Sequence, residues 1–194
     1  DKGVKGLAID FGLSTVAATI RGSSGDDTIT LRDDGKDDTV QIEFGGEGVD
    51  TIVGFEAGAS GDILDFIGTS DVAGTGLSTG GLQITTLVAN DAADAGLVIL
   101  GNDVDNADGD GDGLTADDLS ALLASGANDL TLNAAGDNVI YVITDFGANM
   151  AIFKVDDTVG STAGTIETAE VTVIGQINGV QLAALHADNF ADFS

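Results

Sequence analysis

Three short stretches of the chain repeat one pattern: GSSGDDTIT (22–30), DDGKDDTVQ (33–41) and GGEGVDTIV (45–53). Each sets a small or acidic turn ahead of an aspartate, a threonine and an aliphatic residue, which puts Asp27, Asp38 and Asp50 at the acidic position. A glycine-rich turn exposes backbone carbonyls and lets the aspartate point inward, while the strand that follows buries only its aliphatic residue. Short strands parted by acidic turns are therefore expected here, not helices.

The first and third stretches fit the nonapeptide G-G-x-G-x-D-x-U-x of calcium-binding parallel β-repeats, and the second is degenerate. Their aspartates stand 11 and 12 residues apart instead of nine, which predicts at most a short or distorted roll. A Gly/Asp-rich β-meander without ions fits the same residues. Ahead of them, VKGLAIDFGLSTVAATI (4–20) lacks a 3.6-residue period and reads as a strand or two. After them, DTIVGFEAGASGDILDFIG (50–68) adds Asp62 and reads as a hairpin-like closure.

The charge balance selects among function classes. Against 33 acidic residues stand 6 basic ones, a formal net charge of −27, and 28 of the acids are Asp. Asp forms helices poorly and ligates cations well. Such a chain needs screening or specific cations, and its charge argues against nucleic acid and anionic membranes as partners. Five of the six cations (Lys2, Lys5, Arg21, Arg32, Lys36) fall in the first 36 positions, a polarity that would let one subunit's front meet another's back; compositional drift in a secreted acidic protein is the simpler reading. At 43% hydrophobic the chain can bury a core. It has no Cys, so no disulfides hold it, and no apolar run long enough to span a membrane. No signal peptide is read at the N-terminus, and a start at Asp1 suggests a processed product or a piece of something longer.

With the repeats and the D-x-I-x-x-F…G-D-x-L-D-F passage in view, the sequence resembles the hemolysin-type calcium-binding (RTX) family of bacterial proteins exported by type I secretion. The tail, with DNVIYVI, AIFKVDD, TVIGQINGVQL and NFADF, is similar to the C-terminal regions of type I secretion substrates. The resemblance covers roughly residues 18–68 and 137–194. It implies Ca2+ as the cofactor, with Asp27, Asp38, Asp50 and Asp62 among its ligands, and folding after export. Relatives of this kind include surface-layer proteins and adhesins.

The middle of the chain holds a second acidic feature. Asp105, Asp108, Asp110 and Asp112 crowd ahead of a predicted helix with Thr115 as N-cap, Asp117 and Asp118 in its first turn, and Leu119, Leu122 and Leu123 on one face. Asp108, Asp110, Asp112 and Gly113 match positions one, three, five and six of an EF-hand loop. Leu114 then comes one place early and the twelfth position is Leu119, so a loop shortened by one residue would close on Asp118, a form similar to dockerin-like modules. Oxygen ligands point to calcium. A solvated acidic turn is the competing reading. Asp156 and Asp157 with Glu167 or Glu170 make a vaguer candidate.

Catalysis finds no constellation. His186 is the single histidine and reads as structural, no Cys nucleophile exists, and G-x-S-x-G and H-E-x-x-H are absent. An alginate-type epimerase or lyase with a β-roll would need aromatic and basic residues for its acidic polysaccharide, and here Trp is absent, Tyr141 is the single tyrosine and basic residues number 6.

The sequence is thus expected to fold as a mainly β protein. A short RTX-like β-roll or β-meander over 1–70 precedes a β-sandwich-like part over 71–194, which holds the EF-hand-like loop and helix (105–124), strands near 82–88, 96–100, 138–146, 149–155 and 171–177, and a short helix at 181–190. The expected function is that of a secreted or cell-surface calcium-binding structural protein. It would form homo-oligomers or polymers, such as a surface layer or matrix filament, with a cell-surface polysaccharide as a possible partner. The alternative is the calcium-folding and secretion module of a larger protease, lipase, toxin or adhesin. Residues 4–20 are a candidate for pairing with a neighbour's sheet edge; completing their own sheet is the simpler role.

Overall fold

The computed structural model describes residues 5–32, 34–43, 48–67, 84–85, 91–93, 97–104, 114–124, 130–132, 139–156 and 168–191. These are mainly β with one short α-helix, in sheets that do not close. The strands are β1 (Ala8–Asp10), β2 (Thr19–Arg21), β3 (Thr28–Thr30), β4 (Thr39–Glu43), β5 (Asp50–Val53), β6 (Ile63–Ile67), β7 (Ile84–Thr85), β8 (Asp91–Ala93), β9 (Leu97–Asp103), β10 (Leu130–Leu132), β11 (Val139–Phe146), β12 (Asn149–Asp156) and β13 (Val171–Asn178); helix α1 spans Ala116–Ala124. The chain divides into two compact units, Asp1–Ser70 with Ala148–Met150 and Ile174–Ser194, and Asp71–Gly147 with Ala151–Val173.

In the first unit, alternate strands go to alternate sheets. β1, β3 and β5 pair in parallel, as do β2, β4 and β6. The chain therefore winds as a coil that gives one strand to each sheet per turn. Register aligns Ala8, Thr28 and Thr51 in one sheet and Thr19, Thr39 and Ile63 in the other. One turn advances 20 residues, from 8 to 28, and the next 23, from 28 to 51. The unequal aspartate spacing is thus compatible with in-register stacking, because the aspartates that stack are two repeats apart.

The D-x-U pattern sets what each strand buries. Ile9, Ile29, Ile52 and Ile177 occupy one register line, and Ile20, Val40, Leu64 and Phe190 another. All but the half-buried Ile9 are buried, and Leu31, Ile42, Phe55 and Phe66 join them in the core. Each such side chain contributes roughly 1.5–3 kcal/mol relative to exposure. Gly54 turns the chain out of β5 with φ +80°, and a Cβ there would lie 2.6 Å from the carbonyl oxygen of Leu31 in the turn before. Glycine alone meets both demands without strain.

Two expectations need correction. Residues 50–68 do not form a hairpin-like closure: β5 and β6 lie in different sheets, and the turn between them carries the chain across. Nor is 181–190 a single short helix. It forms two 3-10 turns, Leu182–Ala184 and Ala187–Asn189, with Leu185 extended between them. The N–H groups of Ala184, Leu185 and Asn189 each donate three residues back. Asn189 and Phe190 are thereby freed to face β6 and its preceding turn.

From Ile174 onward β13 belongs to this unit and pairs in parallel with β5, with Gly175 opposite Asp50. On the other sheet Phe190 bridges to Leu64, and the N–H of Ala191 donates to the Leu64 carbonyl.

The second unit also contains parallel pairings, β7 with β9, β9 with β11 and β8 with β10. Its core gathers Val104, Leu119, Val142, Ala151, Phe153, Val155 and Val171, flanked by Leu114, Ala116 and Leu122. Helix α1 starts where Thr115 and its first turn supply polar caps, and buries Leu119 as its leucine spacing predicts.

Candidate metal centre

The repeat aspartates stand at the mouths of the strands, immediately before the inward D-x-U residues. Register stacks them as two columns: Leu7, Asp27, Asp50 and Gly175 in one, Ala18, Asp38 and Asp62 in the other. Within each column every aspartate accepts a hydrogen bond from the backbone of the turn before. Asp27 Oδ1 accepts from Leu7 N (2.5 Å) and Asp50 Oδ1 from Asp27 N (3.1 Å). Asp38 Oδ1 accepts from Ala18 N (2.7 Å) and Asp62 Oδ1 from Asp38 N (3.0 Å). The structure brings Asp27 to Asp50 and Asp38 to Asp62, two pairs rather than one row of four.

Each pair is framed by its own turn. Asp27 also accepts from Ser23, through the backbone N–H and through Oγ at 2.9 Å. A Cβ on Gly22 would collide with Asp27 Oδ2 and lie 3.1 Å from Asp50 Oδ2, so both second oxygens converge on the space that glycine leaves open. A narrow pocket beside them is lined by Arg21, Gly22, Ser23, Gln41 and Asp50. At the other pair, Asp62 Oδ2 accepts from Glu56 N at 2.8 Å.

Stacked carboxylates in partly buried turns oppose one another's ionisation. Burial, joined by the charges of Asp27 and Asp26, pushes Asp50 up to about 6 against the bond from Asp27. Burial, joined by the charges of Asp38 and Asp34, pushes Asp62 up to about 6 against the bonds from Glu56 and Asp38. Asp27 goes the other way. Burial raises it, but the bonds from Leu7 and Ser23 together outweigh that and hold it below the usual carboxylate range.

Asp26 and Asp34 are members that the repeat pattern did not single out. Asp26 Oδ1 accepts from Val49 N at 2.8 Å, and the buried Oδ1 of Asp34 has no hydrogen-bond partner. The signal was present as doubled aspartates, Asp26-Asp27 and Asp33-Asp34. Among the described residues no three Asp, Glu or His side chains converge closely enough to hold a metal by themselves. A cation at either pair would complete its shell with carbonyl oxygens of the turns, as calcium commonly does.

The second expected site is seen in part. Asp105, Asp108, Asp110 and Asp112 lie outside the described residues, as do Asp157, Glu167 and the side chain of Asp156. Asp118 is described and fully buried. Its Oδ2 reaches back to Thr115, accepting from N at 2.9 Å and Oγ1 at 3.1 Å, one half of a capping box. Its Oδ1 is buried without a hydrogen-bond partner. Glu170 is buried at the start of β13. His186, half exposed, sits 3.2 Å from the Asp188 carboxylate. Comparison with protein-family models, with curated proteins and with solved structures returns no match for this chain.

Proposed function

We propose that the chain is a secreted or cell-surface calcium-binding structural protein that assembles with copies of itself into a surface layer or matrix filament, and that residues 5–67 form a short β-roll of the RTX kind. The observation that carries this reading is the stacking of Asp27 on Asp50 and Asp38 on Asp62, with one member of each pair pushed up to about 6. Two carboxylates held together in glycine-lined turns are unfavourable at neutral pH, and a divalent cation turns that repulsion into a tie between successive turns. Asp27, Asp38, Asp50 and Asp62 would hold such ions, and Ca2+ would supply charge neutralisation and cross-linking there. The buried, unpartnered Oδ1 of Asp118 supports the shortened EF-hand-like loop, with Asp108, Asp110 and Asp112, as a further site.

Folding coupled to cation binding would follow, since ligands brought together only in the folded chain add their binding energy to its stability. A net charge of −27 would otherwise keep copies apart, so divalent cations also favour assembly and contact with an acidic cell-surface polysaccharide. No catalytic role is assigned to any residue.

The second reading is the calcium-folding and secretion module of a larger RTX protease, lipase, toxin or adhesin. It is favoured by the end of the secretion-like tail (137–194), which from Ile174 onward belongs to the same unit as the repeats, although Ala151–Val173 belong to the second unit. The mass of the native protein separates the two, about 19 kDa supporting the first. Melting in excess EDTA and in calcium, with microscopy of the same samples, tests the leading proposal. Chelation should lower the melting temperature and disperse any polymer; a melting curve indifferent to EDTA would sink it.

A further inference from the structure

The two ends of the first unit differ. At one end Phe190 and Asn189 close over β6 and its preceding turn. At the other, β1 and β2 are the outermost strands of their sheets, and among the described residues no strand pairs with their outer edges. Open parallel edges of this sort recruit partners unless something blunts them. Here the surroundings are apolar. Of the exposed large hydrophobic side chains described, Leu7 (51%), Leu13 (92%) and Val16 (68%) belong to this first turn.

These side chains are held outward by an ordered loop. The N–H of Gly12 donates to Asp10 Oδ1 (2.8 Å), that of Ser14 to the Phe11 carbonyl (2.7 Å), and Arg32 Nη1 to the Ser14 carbonyl (2.9 Å). A fixed apolar display loses little entropy on docking.

What docks there is constrained by the columns. Each aspartate accepts from the turn before it, but the first turn carries Leu7 and Ala18 at those positions. An additional aspartate turn stacked ahead of β1 and β2 would find no carboxylate to receive its N–H groups. Charge narrows the occupant further. Residues 1–36 hold five cations and six acids, net −1, whereas residues 37–194 hold one cation and 27 acids, net −26. A second copy meets least repulsion when its own near-neutral end faces this one, −1 against −1, and not in the front-to-back meeting that the polarity of the sequence alone suggests, −1 against −26. The first turn also exposes Lys5 just ahead of β1 and Asp10 at its end, so both signs are present there, as suits a self-complementary contact.

We infer that the outer edges of β1 and β2, with Leu7, Leu13 and Val16, form an interface for a second copy of this chain, docked head to head about a two-fold axis. The inference rests on the self-assembly reading above and supplies the first contact of that assembly.

The test compares the full chain with L13D/V16D by sedimentation equilibrium in calcium, alongside melting with and without EDTA. Both substitutions fall on exposed side chains, so the variant should fold and keep its response to calcium. Its self-association should weaken by about 100-fold. If the variant associates as tightly as the unsubstituted chain, the interface is refuted while self-assembly stands. A chain that stays monomeric overturns both, and the melting curves still judge calcium separately. Because the chain has no cysteine, L13C and V16C report orientation: oxidation should cross-link copies in at least one of them, and a dimer that neither variant cross-links refutes the head-to-head arrangement.

Discussion

Asn189 Nδ2 donates to the backbone carbonyl of Asp62 at 2.8 Å, joining the last turn of the chain to the mouth of β6 across 127 positions of sequence. The same amide group satisfies four backbone partners. Nδ2 also reaches the Gly58 carbonyl (3.1 Å), and Oδ1 accepts from Gly58 N (2.9 Å) and His186 N (2.8 Å). Asn189→Ala would leave the buried Asp62 carbonyl unmatched and take a bond from three part-buried backbone groups. Urea unfolding should show a loss of about 2–4 kcal/mol, larger than for a surface Asn.

The raised carboxylates set a pH dependence for the metal-free chain. The folded form holds protons on Asp50 and Asp62 to about pH 6, whereas unfolded Asp releases them near 3.8. Their contribution to stability is therefore complete below pH 3.8 and is lost as pH rises through 6. After allowance for solvent screening the loss is about 2 kcal/mol. Asp27 acts in the opposite sense and loses its contribution as pH falls through its lowered value. Melting curves in EDTA between pH 4 and 7 should decline with pH in the unsubstituted chain and flatten in D50N/D62N. Calcium should reverse the decline.

Gly22→Ala probes the space into which the second oxygens of Asp27 and Asp50 converge. The added methyl displaces at least one carboxylate held by Ser23 and by the neighbouring turn. The variant should lose about 1–3 kcal/mol without calcium and show a smaller calcium-induced rise in melting temperature. Gly179→Ala, a control glycine with open space around its Cβ but φ +75°, should change stability without affecting the calcium response.

The aliphatic columns give a control for packing alone. Ile29 and Ile52 are buried and adjacent in register. Either one replaced by Ala should cost about 2–5 kcal/mol in denaturant titration, with and without calcium alike.

Asp118 has separable roles. Asp118→Asn keeps an acceptor for Thr115 and should cost less than about 1 kcal/mol without metal, whereas Asp118→Ala removes the cap. If its Oδ1 serves a cation, both variants should lose calcium stabilisation equally, which isothermal titration would register as one fewer site.

Much of this was legible in the chain because D-x-U is a local rule. Asp27, Asp38, Asp50 and Asp62 sit at strand mouths, β9, β11, β12 and β13 lie where the apolar runs placed them, and α1 begins after Thr115. What escaped was long-range. The first turn carries Leu7 and Ala18 where later turns carry Asp, so residues 5–21 gave no sign of belonging to the stack. The pairing of repeats two apart is set by which sheet each strand joins, a property no single repeat encodes. Asn189 looked like part of a short helix because its partners lie 127 and 131 positions away.

The unequal turns, 20 residues in one circuit and 23 in the next, align the same strands without a shift in register. A difference of three residues between circuits therefore leaves the strand alignment untouched, so the coil can grow or shrink by whole circuits. A tandem copy of residues 27–49 would slot in as one more storey, carrying its own pair of aspartates and its own two aliphatic residues into columns already waiting for them.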